Sequence, residues 1–238
     1  MLTEPFEYQL DGVVFRGELV RDENSTSLRP GILIAHEGGG LNAHSLRRAR
    51  QLAEEGYVAL AGDMYGERRQ AKSRDESMAL IGALASDPAK LRARVGAGVE
   101  ALRGAPGVDP KRIAAIGFCF GGMTVLELAR SGADVAGVVS FHGILRTALP
   151  AQAGQVKARI LACHGHNDPL ALPEQLVAFM REVETAGVDW QVLTFGGAAH
   201  GFMNRDATSF GVPGIAYNER AEKRAWAAMH RFLAETFA

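Results

Sequence analysis

The chain has 238 residues, 47% of them hydrophobic and 22% charged, which is ordinary globular usage and excludes a disordered or fibrous chain. The 26 Lys and Arg residues nearly balance the 27 Asp and Glu residues, and the net charge of -1 argues against a nucleic-acid-binding protein. Two cysteines are too few for a disulfide framework, and no apolar run is long enough to span a bilayer or resembles a signal peptide. We therefore expect a cytoplasmic protein without a membrane span and, since no linker is visible, a single domain over residues 1–238.

The N-terminal half of the chain is predicted to form a hairpin followed by alternating strands and helices. The β-rich runs FEYQL and VVFRGELV flank Asp11-Gly12, which is a strong turn signal. Gly56 is typical of a helix C-terminus, and Pro88 after Ser86-Asp87 is typical of a helix start. These signals delimit a loop over 21–30, strands at PGILIA and YVALAGD, a helix over 43–55, and a mostly helical stretch over 75–103 with a break at 86–88.

The C-terminal half continues the alternation with four further apolar runs and three helical patterns. Strands are expected at RIAAIGF, DVAGVVSF, ARILACHG and VDWQVLTF, and helices at MTVLELARS, 173–186 and 218–237. Short, continuously apolar strands that alternate with helices indicate an α/β fold, in which a mostly parallel central sheet is covered by helices on both faces. The irregular stretch 196–217 is rich in Gly, His, Phe and Asn, and loops of this length are often functional.

The sequence Gly117-Phe118-Cys119-Phe120-Gly121 is the sharpest chemical signal in the chain. It lies where a predicted strand passes into a helix, which is the context of a nucleophile elbow, G-x-Nu-x-G. In such an elbow the nucleophile occupies a strained turn, the glycines let the backbone approach closely, and the helix N-terminus directs N–H groups at the site. The alternative is a buried structural cysteine in a glycine-rich turn, so the partners of Cys119 decide between the two.

Two candidate partners of Cys119 follow it in the order nucleophile, Asp, His. Asp168 follows the strand RILACHG and His200 follows the strand QVLTF, so both lie at the carboxyl ends of strands, where ligands bind in open α/β sheets. Asp168 alone would also suit a turn, and one histidine among seven is weak support by itself. His164 and His166 close to Asp168 raise the alternative of a metal site, but no further ligand cluster supports it, and no metal or cofactor is expected.

On these motifs the chain resembles the dienelactone hydrolase family of α/β-hydrolases over nearly its whole length. The resemblance rests on the elbow GFCFGG together with Glu37 in AHEGGGLN, Asp168 in HGHNDPL and His200 in HGF. It implies an α/β-hydrolase fold in which Cys119 is the nucleophile, His200 is the base, and Asp168 orients that base. Glu37 is similar to the family's extra carboxylate beside the thiol, where a negative charge disfavours a charged sulfur and makes it a poorer target for oxidation.

The resemblance also implies an oxyanion hole and a substrate pocket. The expected oxyanion donors are the backbone N–H groups of Phe120 and Gly38, although three consecutive glycines could also form only a flexible turn. Family members that act on dienelactone hold its carboxylate with arginines. The candidates here are Arg205 after His200, and Arg68, Arg69 and Arg74 in the loop after Tyr65; each of them could also be a solvated surface charge. The full set of candidate pocket residues is Gly39, Tyr65, Arg68, Phe141, His142, Leu170, Phe202, Asn204 and Arg205.

These residues lead to one main hypothesis and three alternatives. The main hypothesis is an enzyme that hydrolyses carboxylic esters or lactones, dienelactone-like or aryl, through a thioester on Cys119. One alternative, prompted by the open loop 38–40, is a promiscuous hydrolase that also accepts phosphotriesters. The others are a non-catalytic ligand-binding protein on the same fold and a thiol redox protein, which the absence of a CxxC motif disfavours. We expect a small-molecule ester or lactone as the partner, and a monomer or small homo-oligomer.

Overall fold

The computed structural model describes residues 1–238 and contains eight strands, six α-helices and one short 3-10 helix. The strands are β1 (Leu2–Leu10), β2 (Val13–Arg21), β3 (Arg29–Ala35), β4 (Val58–Gly62), β5 (Val108–Phe118), β6 (Gly137–Phe141), β7 (Arg159–Gly165) and β8 (Trp190–Phe195). The helices are α1 (Ala43–Glu54), α2 (Arg74–Ala85), α3 (Pro88–Arg103), α4 (Phe120–Arg130), α5 (Pro173–Thr185) and α6 (Glu219–Thr236), and the 3-10 helix spans Ala207–Phe210.

All eight strands form one sheet in the order β1-β2-β4-β3-β5-β6-β7-β8. β1 and β2 form the N-terminal hairpin, in which Asp11 and Gly12 have φ angles of 50° and 77°, as a tight two-residue turn requires. β2 runs antiparallel to β4, and all strands from β4 to β8 in the sheet order are parallel. The predicted fold, a mostly parallel sheet that begins with a hairpin, is confirmed.

Helices cover both faces of this sheet, and each face has its own hydrophobic core. α1 and α6 pack on one face of the sheet, and α3, α4 and α5 pack on the other. The C-terminal end of α2 packs on the same face as α3, α4 and α5. The predicted break between α2 and α3 is real: the side chain of Asp87 accepts a hydrogen bond from the N–H of Lys90 at 3.0 Å and begins the second helix. No helix of the protein is long and apolar enough to cross a membrane.

The strand order reverses beside β3, and this reversal positions the site. The chain passes from β3 to β4 on one side of β3 and returns to β5 on the other side. Such a reversal opens a crevice at the carboxyl ends of the two neighbouring strands, where ligands bind in open α/β sheets. Glu37 follows β3 and Cys119 follows β5, so the fold brings both residues to the crevice.

The stretch 196–217 is more ordered than its sequence predicts. Besides the 3-10 helix, it contains a backbone bridge between His200 and Ile215. The N–H of His200 donates to the carbonyl oxygen of Gly214 at 3.0 Å, and the N–H of Ala216 donates to the carbonyl oxygen of His200 at 2.9 Å. The backbone of His200 is therefore fixed by the returning chain rather than held on a free loop.

Candidate active site

Cys119 lies between β5 and α4 with a φ of 55° and a ψ of -113°, a region that residues other than glycine rarely adopt. The neighbouring glycines permit this turn. A Cβ atom on Gly117 would lie 2.0 Å from the carbonyl oxygen of Gly121, and one on Gly121 would lie 2.0 Å from that of Ala35. Because the side chain of Cys119 is partly exposed, the motif forms a strained strand–turn–helix junction whose sulfur is accessible to small molecules.

Two backbone N–H groups in the loops around Cys119 have no acceptor in the protein. Phe120 is the first residue of α4, so its N–H has no intrahelical partner, and the N–H of Gly38 makes no hydrogen bond in the loop after β3. Both residues are buried. The two groups predicted to donate to an oxyanion are thus available for one.

The peptide that carries the Gly38 N–H is held by His36, a residue that the sequence analysis did not single out. Nε2 of His36 accepts a hydrogen bond from the N–H of Met64 at 3.1 Å, and Nδ1 lies 2.7 Å from the carbonyl oxygen of Glu37. Because Nε2 accepts, the ring proton is on Nδ1, which donates to Glu37. Burial lowers the pKa of His36 and keeps the ring neutral. The hydroxyl of Tyr65 donates to the carbonyl oxygen of Gly38 at 2.9 Å, so the loop is held on both sides.

His200 and Asp168 are joined by a direct hydrogen bond. Nδ1 of His200 lies 2.8 Å from Oδ2 of Asp168, and both side chains are buried. Nε2 of His200 is buried, has no nitrogen or oxygen partner, and interacts with the thiol of Cys119. Burial lowers the pKa of His200, but the interactions with Cys119 and Asp168 raise it more, so the ring readily takes up a proton from that side. One ring nitrogen is therefore fixed, while the other is free to exchange a proton with Cys119.

Glu37 is held by Asn204 on the loop that follows His200. Oε2 of Glu37 accepts a hydrogen bond from Nδ2 of Asn204 at 2.6 Å. Oδ1 of Asn204 accepts a hydrogen bond from the N–H of Asp206 at 3.0 Å, which fixes the orientation of the amide. Burial raises the pKa of Glu37 to about 7, although Asn204 and His200 act in the opposite direction. Near neutral pH, the carboxyl group is therefore close to an even balance of charged and uncharged forms.

Three of the predicted pocket residues, Phe141, His142 and Phe202, are fully buried. Phe141 stacks on Phe118 with ring centroids 5.0 Å apart, in the core beneath α1 and α6. Phe202 packs against His142 at 5.3 Å. Side chains alternate between the two faces of a strand, and Phe141 at the end of β6 faces the core. None of these three side chains lines an opening to solvent.

Three of the four predicted arginines are paired with carboxylates. Arg68 forms an ion pair with Glu18 on β2, Arg69 with Glu76 on α2, and the Nε of Arg205 lies 3.9 Å from Oε2 of Glu222. Arg74, at the start of α2, is exposed and forms no ion pair. The side chain of Arg205 is 69% exposed. Of the remaining pocket candidates, Leu170 is 44% exposed, and its N–H donates to Oδ1 of Asp168 at 2.8 Å. Gly39 has open space beside it, since a Cβ there would meet no atom closer than 3.9 Å.

A buried arginine that the sequence analysis missed ties the loop carrying His200 and Asn204 to the helices below it. Nη2 of Arg48 on α1 donates to the carbonyl oxygen of Met203 at 2.8 Å and to Oε1 of Glu222 on α6 at 2.5 Å. In the sequence, Arg48 is one of several basic residues on an amphipathic helix. Its buried charge is balanced by Glu222, which is distant in sequence, so no local signal could have revealed this contact.

The residues of the alternative metal site are not brought together. No group of three or more His, Cys, Asp or Glu side chains is placed to hold a metal ion. His166 is exposed, whereas His164 is buried. The second cysteine, Cys163, is buried within β7, and burial raises the pKa of its thiol.

Comparison with known proteins decides the family. A model of the dienelactone hydrolase family matches residues 15–237. The chain belongs to the dienelactone hydrolase family. The family that its motifs resemble is therefore confirmed, and the protein is a hydrolase enzyme.

Solved structures of dienelactone hydrolase-like proteins superpose over the whole chain. A protein named m3DLH is 41% identical with a TM-score of 0.96, covering 100% of this chain and 99% of the other. A dienelactone hydrolase-like promiscuous phosphotriesterase from metagenomic libraries is 40% identical with a TM-score of 0.94, with the same coverage. Among sequence relatives, a carboxymethylenebutenolidase homolog from Mus musculus is 26% identical over 177 residues, or 74% of this chain and 71% of the relative.

Proposed function

We propose that this member of the dienelactone hydrolase family hydrolyses uncharged carboxylic esters or lactones with Cys119 as nucleophile, His200 as base and Asp168 as orienting acid. The observation that carries the proposal is the state of His200. Its Nδ1 is bound to Asp168 at 2.8 Å, while its buried Nε2 has no nitrogen or oxygen partner and interacts with the thiol of Cys119, which raises the pKa of the ring. This is the arrangement in which an imidazole can take a proton from a thiol.

Acylation of the enzyme begins when Sγ of Cys119 attacks the carbonyl carbon and its proton passes to Nε2 of His200. The N–H groups of Gly38 and Phe120 donate to the negatively charged oxygen of the tetrahedral intermediate. The carbon–oxygen bond to the leaving group then breaks, and the leaving oxygen takes the proton from His200. The product of this stage is a thioester on Cys119 and a free alcohol, or, for a lactone, a thioester that carries its own hydroxyl.

Deacylation uses the same residues in reverse. His200 takes a proton from water, the resulting hydroxide attacks the thioester carbon, and the carbon–sulfur bond breaks. The sulfur of Cys119 regains a proton, and the carboxylic acid leaves. In this account, Glu37 is a second proton acceptor for the thiol, because its pKa of about 7 lets it exchange a proton near neutral pH.

The arginines support an uncharged substrate. A substrate carboxylate needs a free cation close to the reacting carbon, and charge-assisted pairs are the strong form of such recognition. Of the four arginines expected to serve, Arg68, Arg69 and Arg205 are engaged with glutamates, and Arg74 alone has no carboxylate partner. Asn204, which lies next to Arg205 in the chain, binds Glu37 with a neutral amide.

The experiment that tests this function compares two cysteine variants on 4-nitrophenyl acetate. Cys119→Ala is expected to lower kcat/KM at least about 1000-fold, because the nucleophile is lost. Cys163→Ala is the matched control: it removes the other thiol, buried in β7, and is expected to keep kcat/KM within about 3-fold of the wild type. Activity of Cys119→Ala equal to that of the wild type would overturn the nucleophile assignment.

A second candidate activity is hydrolysis of phosphotriesters, favoured by the 40% identical promiscuous phosphotriesterase that superposes over the whole chain. In this reaction Sγ of Cys119 attacks phosphorus, the aryl oxygen–phosphorus bond breaks, and water then cleaves the sulfur–phosphorus bond to release a dialkyl phosphate. The probe is 4-nitrophenyl diethyl phosphate with the wild type and Cys119→Ala. Turnover above the buffer rate that disappears in Cys119→Ala supports the activity, and no turnover by the wild type rejects it.

A further inference from the structure

His142 touches both the predicted nucleophile and the predicted base. The residue follows β6 directly and is fully buried. Its Nδ1 accepts a hydrogen bond from the backbone N–H of Cys119 at 3.1 Å, and the same N–H also donates to the carbonyl oxygen of Phe141 at 3.0 Å. The ring centroid of His142 lies 5.1 Å from that of His200, with an angle of 68° between the ring planes. The ring of His142 therefore lies between the backbone of Cys119 and the side chain of His200.

The backbone holds this ring in a fixed place. His142 has a φ of 41°, in the left-handed region that residues with a side chain rarely adopt. Its own N–H donates to the carbonyl oxygen of Cys163 on β7 at 2.9 Å. Phe202 packs against the ring from another side, with centroids 5.3 Å apart. A strained backbone held by neighbouring strands is typical of residues that serve a site.

The hydrogen bond from Cys119 also determines the protonation state of His142. Because Nδ1 accepts, the ring is neutral and carries its proton on Nε2. Nε2 is buried and has no hydrogen-bond partner. Burial, and then the positive charge of a protonated His200, lower the pKa of His142 well below its usual value. A charged ring at this position would place an N–H against the N–H of Cys119.

We propose that His142 is a positioning residue that holds the backbone of Cys119 through Nδ1 and limits the orientation of His200 through its ring. The inference rests on the proposed function, since it concerns the two residues that exchange the proton there. Cys119 occupies a strained conformation, and a fixed acceptor on its N–H stabilises that conformation. His200 is bound to Asp168 through one nitrogen only, so contact with His142 determines where Nε2 points.

Two variants separate the two contacts. His142→Phe keeps an aromatic ring against His200 but removes the second acceptor of the Cys119 N–H, which then donates only to the carbonyl oxygen of Phe141. His142→Asn keeps an acceptor in the place of Nδ1 and tolerates a positive φ, but removes the ring. His44→Asn is the matched control, because His44 is also buried with an unpartnered Nε2 but packs on Phe118.

The readouts are the rate of the 4-nitrophenyl acetate burst per titrated active site, KM, and the pH profile of Cys119 alkylation by iodoacetamide. His142→Phe is expected to slow the burst about 3-fold, because the Cys119 N–H loses one of its two acceptors. His142→Asn is expected to slow it about 10- to 100-fold, because a displaced catalytic group is costly. Both His142 variants should keep KM within about 2-fold of the wild-type value and change the pH profile of alkylation. His44→Asn should change neither the burst rate nor the pH profile of alkylation.

Reduced thermal stability of both His142 variants, with burst rate and alkylation profile unchanged, would show that His142 only fills the core and would overturn the proposal. If the variants do not fold, the wild type still decides it: nitrogen-15 NMR must show His142 neutral with the proton on Nε2 between pH 5 and 9. A proton on Nδ1 contradicts the inference. Alkylation measures the reactivity of Cys119 without any ester substrate. Failure of the proposed function would appear as activity retained in Cys119→Ala, whereas failure of this inference would appear as unchanged burst rates and alkylation profiles in the His142 variants.

Discussion

The turn around Cys119 and helix α2 both border the loop that follows β3, but they are held there in different ways. In the turn, backbone meets backbone: a Cβ on Gly121 would lie 2.0 Å from the carbonyl oxygen of Ala35. Helix α2 buries only Leu84, and its Met78 is 58% exposed. Ends of its side chains, from Ser77 and Ile81, approach Gly38. Main-chain contacts therefore fix the backbone beside the proposed nucleophile, whereas exchangeable side chains pack against Gly38, a proposed oxyanion donor.

This difference has a consequence for how the enzyme can change. A substitution in the turn moves the nucleophile together with the strands around it, so it affects folding and chemistry at once. A substitution on α2 changes the shape of the space above Gly38 and leaves the sheet intact. We infer that differences in substrate choice within this fold are easier to obtain on α2 than around Cys119.

The largest effect that tests the comparison is expected from an added methyl group in the turn. Gly121→Ala places a Cβ 2.0 Å from the carbonyl oxygen of Ala35, a backbone atom that cannot move without displacing β3. We expect a loss of at least about 4 kcal/mol in the free energy of unfolding, measured by urea denaturation.

Gly82→Ala on α2 is the matched control: its Cβ meets nothing within 4 Å. It should stabilise the protein by about 0.5–1 kcal/mol. Equal stabilities of the two variants would contradict the comparison.

Glu37 gives a smaller effect with a defined pH dependence. Its folded-state pKa of about 7 lies above the ordinary value of 4.5, so the folded protein binds more protons than the unfolded chain between these values. The charged form of Glu37 therefore destabilises the fold increasingly as the pH rises to about 7.

We expect Glu37→Gln to raise the free energy of unfolding by about 2 kcal/mol at pH 8, after allowance for its partial exposure. The gain should shrink as the pH falls and be nearly absent at pH 4.5. Glu23→Gln, in the exposed loop after β2, is the control and should show no such trend. A gain for Glu37→Gln that is the same at both pH values would mean that its carboxyl group is not the cause.

Local signals predict much of this fold, and distant contacts account for most of what they miss. The break at Asp87 and the turn at Asp11-Gly12 are visible because capping and turn residues act on their immediate neighbours. The direct bond between Asp168 and His200 agrees with their order along the chain. His36 instead gains its role from Met64, which lies on a different strand end. No local pattern contains such information.

Two predicted pocket residues, Phe141 and His142, show a related effect. They are adjacent in sequence, but the structure turns them in different directions. Because successive side chains of a strand point to opposite faces, Phe141 turns into the core. His142 leaves the strand with a φ of 41° and turns its ring towards Cys119. A positive φ at a residue other than glycine depends on surrounding structure, so the sequence alone does not indicate it.

At Gly38 the neighbouring atoms belong to side chains rather than to the backbone. A Cβ on Gly38 would lie 2.6 Å from Cδ1 of Ile81 and 2.8 Å from Oγ of Ser77. These are ends of flexible side chains, so Gly38→Ala is expected to fold but to displace its N–H and lower kcat/KM about 10-fold. Ile81→Ala in the same chain should restore most of the loss. Gly39→Ala is the control, with an expected change below about 2-fold, since its Cβ has open space.

The smallest effect is expected at the exposed arginine. The ion pair of Arg205 with Glu222 at 3.9 Å is largely solvated and adds little to stability. Under the proposed function it binds no substrate carboxylate. Arg205→Ala should therefore keep kcat/KM within about 2-fold, both for 4-nitrophenyl acetate and for a lactone that carries a carboxylate. A selective loss on the anionic lactone would show that Arg205 moves into the site and recognises that charge.

The most direct test of the account is the chemical identity of the intermediate. The wild type is mixed with 4-nitrophenyl acetate, quenched in acid during the first turnover, digested and analysed by peptide mass spectrometry. The account predicts one acetyl group on the peptide that carries Cys119, and none on the peptide that carries Cys163. Steady hydrolysis with no acetylated Cys119 at any quench time, or an acetyl group on a serine or lysine that turns over at the steady-state rate, would contradict it.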